Sequence, residues 1–160
     1  MEISCTEENE THGGPSGRGV PNHATAAVPQ TATIARDDAT GVWTVTPPRT
    51  ADRSTMRSVR AQLVDLLETE ARAGRGRVRL VFDLRECALG LEALAFALRT
   101  LARYEAFMRA RLERSAALVP RGNRAIKALC DAFLRAYTPV RPFAIEVAPE
   151  RARAFAAAVE

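Results

Sequence analysis

Three short apolar runs, each leading into a stretch with helical spacing, constrain this chain more than any other feature. They are residues 77–84 (RVRLVFDL), 115–119 (SAALV) and 143–147 (FAIEV). Strands of this length alternating with helices read as parallel βα units, because a parallel neighbour needs a crossover to bring the chain back. The fold class that follows is α/β: a small, mostly parallel sheet with helices packed on it.

Upstream of that rhythm, residues 31–36 (TATIAR) and 41–47 (GVWTVTP) flank the turn DDAT, which predicts an N-terminal β-hairpin. Trp43 and Val45 share one face of its second strand, Thr44 points the other way, and Pro47 and Pro48 end it. A helix is expected over 54–73, capped by Asp52 or Ser54, with Met56, Val59, Leu63, Val64, Leu66, Leu67 and Ala71 as its apolar face and Gly74 and Gly76 as its stop. Residues 90–112 carry Leu91, Leu94, Ala95, Leu98, Leu101 and Ala102 at helical spacing, widened by Phe96, Tyr104 and Phe107. Read as one helix, this segment would be about 33 Å long, more than a crossover needs. The cleanest stripe is Ile126, Leu129, Cys130, Phe133, Leu134 and Tyr137, ended by Thr138 and Pro139. Turned onto the sheet, that stripe makes Phe133 a central core residue whose truncation costs about 3–5 kcal/mol. A last helix starts at Pro149 and buries Phe155 and Val159. The predicted order is β-β-α-β-α-β-α-β-α.

A length of 160 residues suits a single domain, placed at 31–160. Residues 1–30 are rich in Gly, Pro, Ser, Thr and Asn, lack an apolar period, and read as a disordered tail. They hold one base and four acids, a net of −3, which leaves 22 bases and 15 acids, a net of +7, for the rest. Of the 23 bases only Lys127 is Lys, in an Ala-rich chain, and the Arg residues alternate with acids along the helices. Such interleaving is that of solvated faces and argues against a nucleic-acid surface. No apolar run approaches the roughly 20 residues of a membrane span. The acidic start lacks the apolar core of a secretory signal, so a cytoplasmic protein is expected.

Cys5, Cys87 and Cys130 are widely spaced and odd in number, unlike a disulfide framework or a metal site. Cys130 sits on the apolar stripe, as a core thiol would, and Cys87 follows a strand. Both histidines, His12 and His23, lie in the tail, which excludes a Cys–His pair inside the domain. The sequence GGPSGRG at 13–19 precedes no strand–helix unit and lacks the Lys-Ser/Thr ending of a phosphate loop. No nucleophile–base pair stands out, and no cofactor is implied.

The element order, the strand ending Phe82-Asp83-Leu84 and the later strand–helix–strand run resemble STAS domains, the anti-sigma-factor-antagonist fold. Carriers of the CRAL-TRIO type share that general fold. In STAS regulators the loop after this strand reads like DLSGVxxxDSSG, with a Ser at the following helix start that accepts a phosphoryl group. Here the segment is DLRECALGLEAL: Asp83 and Leu84 match, but neither Ser nor Thr lies between Asp83 and Arg99. The phosphoacceptor is absent, and Glu92 places a fixed negative charge near its position.

Ligands and partners of open α/β sheets meet the carboxyl ends of the strands. Those ends supply Arg85, Glu86 and Glu92 from one loop and helix start, and Arg121, Gly122, Asn123 and Arg124 from the next. The second group could cradle an anion on free helix N–H groups and two guanidiniums, or be a surface turn in which Asn123 caps its own helix. The resulting expectation is a non-enzymatic, STAS-like regulatory or interaction module that binds another protein. The alternative is a CRAL-TRIO-like carrier of a lipid or small apolar ligand, which requires an enclosed apolar pocket of several hundred Å3.

Overall fold

The computed structural model describes residues 31–88 and 90–158. The expected disorder of 1–30 and the expected burial of Val159 fall outside them. The elements are β1 (Thr33–Arg36), β2 (Val42–Thr46), α1 (Arg53–Arg72), β3 (Val78–Asp83), α2 (Leu91–Arg103), α3 (Glu105–Arg111), β4 (Leu112–Leu118), α4 (Arg124–Ala136), β5 (Phe143–Glu146) and α5 (Pro149–Ala157). The sheet runs β1-β2-β3-β4-β5 in space, with β1 antiparallel to β2 and every later pair parallel. The predicted α/β class, hairpin and element order are those observed.

Strand order equal to chain order has a direct consequence. Each crossover from β2 onward steps in the same direction, and right-handed crossovers then stack their helices on one face of the sheet. Helices α1 and α3 meet Val45, Val78, Leu80 and Leu112 in one core, with Trp43, Phe82, Leu101 and Phe107 packed around it. Among the described residues the opposite face is covered by the terminal helix, which is no crossover and is free to pass beneath. There α5 seats Ala152 and Ala156 against Val42, Val81, Ala116 and Leu118. Both alanines are fully buried, so a short helix approaches the strands closely through its smallest side chains, while Phe155 stays half-buried.

Local chemistry explains the element ends. The hairpin turns on Asp37, whose carboxylate accepts from the Ala39 N–H at 2.9 Å, and on Gly41 at φ +68°. Asp52 caps α1 by accepting from the Thr55 N–H at 2.7 Å. After α1, Gly74 and Gly76 take positive φ and turn the chain into β3.

Two readings of the sequence are corrected by packing. The stretch 90–112 is not one helix: Tyr104, at φ −106° and ψ 17°, separates α2 from α3. A straight helix of about 33 Å would overshoot a neighbouring six-residue strand of roughly 20 Å. The break at Tyr104, whose ring meets Phe107 edge-on at 6.4 Å, lets Met108 and Leu112 reach the core. Strand β4 accordingly begins at Leu112, not at Ser115. The second correction concerns α4, where Ile126 alone is buried; Phe133 and Cys130 are half-exposed and Leu134 is 42% exposed. Its stripe faces α2 and the sheet's edge, so Phe133 is not a central core residue.

Candidate functional site

At the carboxyl ends of the strands, the loop after β2 and the loop after β3 are joined. The Ala88 N–H donates to the Arg49 carbonyl at 2.8 Å, and Thr50 and Ala88 form an isolated parallel bridge. Arg49 and Glu86 pair across the two loops at 3.1 Å. Both are largely solvated, so the ion pair adds little stability and mainly fixes register. Arg85 turns back on its own strand end: its Nε and Nη2 donate to the two Asp83 carboxylate oxygens at 2.9 and 2.7 Å. That guanidinium holds the Asp83 carboxyl below its ordinary value, partly opposed by burial. Arg85 and Glu86 are thus committed to partners within this chain.

The Cys87 side chain points inward and is buried, and desolvation pushes its thiol up. A thiol so placed is a packing group, with little thiolate to act as a nucleophile at neutral pH.

At the next strand end the capping reading holds. The Asn123 carboxamide oxygen accepts from the Ile126 N–H at 3.1 Å, and Gly122 makes the turn at φ +77°. Arg121 and Arg124 are exposed and line neither of the two recesses described below.

The first recess, of about 250 Å3, lies between the start of α1 and the stretch of α2 from Glu92 to Arg99. Ala51, Met56, Ala93 and Phe96 form its apolar floor, and Arg53, Arg99 and Glu92 its polar rim. Glu92 was legible as a helix-start acid, whereas Arg53 and Arg99 were not singled out. Their signal was present as facing rows, Arg53-Met56-Arg60 and Glu92-Phe96-Arg99, each at one- and two-turn spacing. Only the contact of α1 with α2 makes two rows into one site.

The second recess is an open groove of about 430 Å3 at the sheet's β5 edge, lined by Leu134, Pro139, Val140, Arg141, Pro142 and Phe143. Phe133 stands 5.6 Å from Tyr137 and 6.1 Å from Phe143, ring centre to ring centre, in a partly buried aromatic cluster that reaches the groove through Phe143. Arg141 is anchored by two hydrogen bonds from its guanidinium to the Arg109 carbonyl, the shorter 2.7 Å.

Among the described residues, no group of three or more His, Cys, Asp or Glu is placed to hold a metal ion, and no helix is long and apolar enough to cross a membrane. No family model, no curated protein and no solved structure matches this chain.

Proposed function

We propose that this chain is a non-enzymatic, STAS-like interaction module that docks a partner protein on the groove between α4 and β5. The carrying observation is the incomplete cover of α4. Leu134 is 42% exposed, and Phe133, Tyr137 and Phe143 form a partly buried aromatic cluster beside a strand that has no neighbour on its outer side among the described residues. Aromatic side chains around a groove are what buried interface anchors require, and an edge strand offers backbone donors and acceptors to an added segment. The groove carries one positive charge in its lining, that of Arg141. The fitting occupant is therefore an extended apolar segment flanked by Asp or Glu.

The element order supports the STAS resemblance, while the segment 90–99 carries no hydroxyl on which a phosphoryl switch could act. A CRAL-TRIO-like carrier has less support, since one recess is charged at its rim and the other is an open groove.

A photo-crosslinking residue placed at Leu134, with a second one at Leu91 as an exposed apolar control, tests the reading in the native host. Adducts specific to position 134, on a partner segment with apolar residues between acids, are expected. Equal adducts from both positions, or adducts only to a second copy of this chain, would overturn it.

A further inference from the structure

We propose that the recess between α1 and α2 is a binding site for a small organic monocarboxylate with an apolar body and a hydrogen-bond donor at its far end. The proposal is independent of the α4–β5 groove.

Two helices build the site. Arg53 and Met56 come from the first turns of α1, and Glu92, Ala93, Phe96 and Arg99 from two turns of α2. Arg60, two turns along α1, lies over the Phe96 ring at 5.6 Å and over the Tyr104 ring at 5.9 Å. Those stacked contacts fix the Phe96 ring as part of the floor.

Charge then selects the ligand. Many arginines of the domain are already engaged: Arg36, Arg49, Arg75, Arg79, Arg85 and Arg109 each pair with a carboxylate. Arg53 and Arg99 have no such partner among the described residues, yet both border one recess. A guanidinium fork matches a carboxylate in two parallel hydrogen bonds. With Glu92 on the same rim, the residues that line the recess carry two positive groups and one negative group, while the Arg60 charge is taken up by the Phe96 and Tyr104 rings. A monoanion balances that set, whereas a phosphate dianion would face Glu92 with excess charge. Glu92, an acceptor only, suits a hydroxyl or amine on the ligand.

Size limits the body of the ligand. At about 250 Å3 the recess lies below the roughly 300–1,000 Å3 range typical of small-molecule sites, so it suits a metabolite of one ring or a short chain. Met56 and Phe96 offer that body an apolar bed.

Backbone amide shifts of the full chain, followed by NMR during titration with 4-hydroxybenzoate, provide the test. Benzyl alcohol serves as the uncharged probe and inorganic phosphate as the free anion. Saturable shifts at residues around Met56, Ala93 and Phe96 are expected, with at least threefold weaker binding of both other probes. Arg53→Gln and Arg99→Gln should each weaken 4-hydroxybenzoate threefold or more, and Arg121→Gln, away from the recess, by less. Both rim arginines are exposed, and an unchanged melting temperature confirms that the variants fold. The proposal fails if 4-hydroxybenzoate does not saturate, or if phosphate or the alcohol binds within threefold of it. It fails equally if either rim variant binds as Arg121→Gln does.

Discussion

Helix α1 buries Val59, Leu66 and Leu67 against the middle of the sheet, whereas α4, with the more regular apolar stripe, buries Ile126 alone. The two helices have the same task, since each carries the chain from one parallel strand to the next. They differ in where the strands they join stand. Helix α1 links β2 to β3, in the interior of the strand order, and is flanked by α2 and α3. Helix α4 links β4 to β5, at the edge, with α2 on one side and no further strand beyond among the described residues. An apolar stripe therefore states that a helix has a face to cover, and the position in the sheet decides how much of it is covered.

The sharpest way to break this comparison is to truncate one residue from each stripe. Leu67 is wholly buried, and Leu67→Ala should cost about 3–5 kcal/mol in a urea melt. Phe133→Ala, beside the half-open groove, should cost about 1–2 kcal/mol, because less of its surface leaves water on folding. Equal losses would mean that a partner or a second copy covers α4 in solution, and the Phe133→Ala loss would then depend on protein concentration.

The caps sharpen the contrast at smaller scale. Asn123→Ala removes the acceptor for the Ile126 N–H and should cost about 1 kcal/mol. On α1 the cap is the ionisable Asp52, whose carboxyl is held below its ordinary value first by the Thr55 backbone N–H and then by the Thr55 and Ser54 hydroxyls. A carboxyl lowered in the folded state stabilises above its ordinary range near pH 4, and that contribution is lost as pH falls through the lowered value. Protection factors in the first turn of α1, with the intrinsic slowing of amide exchange in acid divided out, should therefore fall on acidification, while the Asn-capped first turn of α4 keeps its protection. Matching acid responses would show that the caps do not govern these helix starts. The smallest effect is expected from Arg135→Ala, on the solvated side of α4, at about 0.5 kcal/mol or less in the same melts.

Much of the architecture could be read from residue spacing. Alternation placed Trp43 and Val45 together, and both join the core shared with α1. The Gly74 and Gly76 stop, the Asp52 and Asn123 caps and the Pro149 start depend on neighbours within a few residues, so they are written locally. The end of α2 was not legible, because Tyr104 and Phe107 fit a continuing helix. The helix stops there because Met108 and Leu112 must reach a core built largely from α1, β2 and β3. The site divides in the same way. Arg85, Glu86 and Asn123 stood out by lying at strand ends, yet two are held in ion pairs and one is a cap. Arg53 and Arg99, 46 positions apart in the chain, form a rim only once α1 lies beside α2.

Sequence alone determined the βα rhythm, the hairpin and the capped helix starts, since each rests on periodicity or hydrogen bonds within a few residues. Tertiary structure decided that α5 crosses to the other face on Ala152 and Ala156, that α4 stays half-covered, and which arginines converge. Those outcomes depend on strand order and on helices distant in the chain, and local spacing carries no term for either.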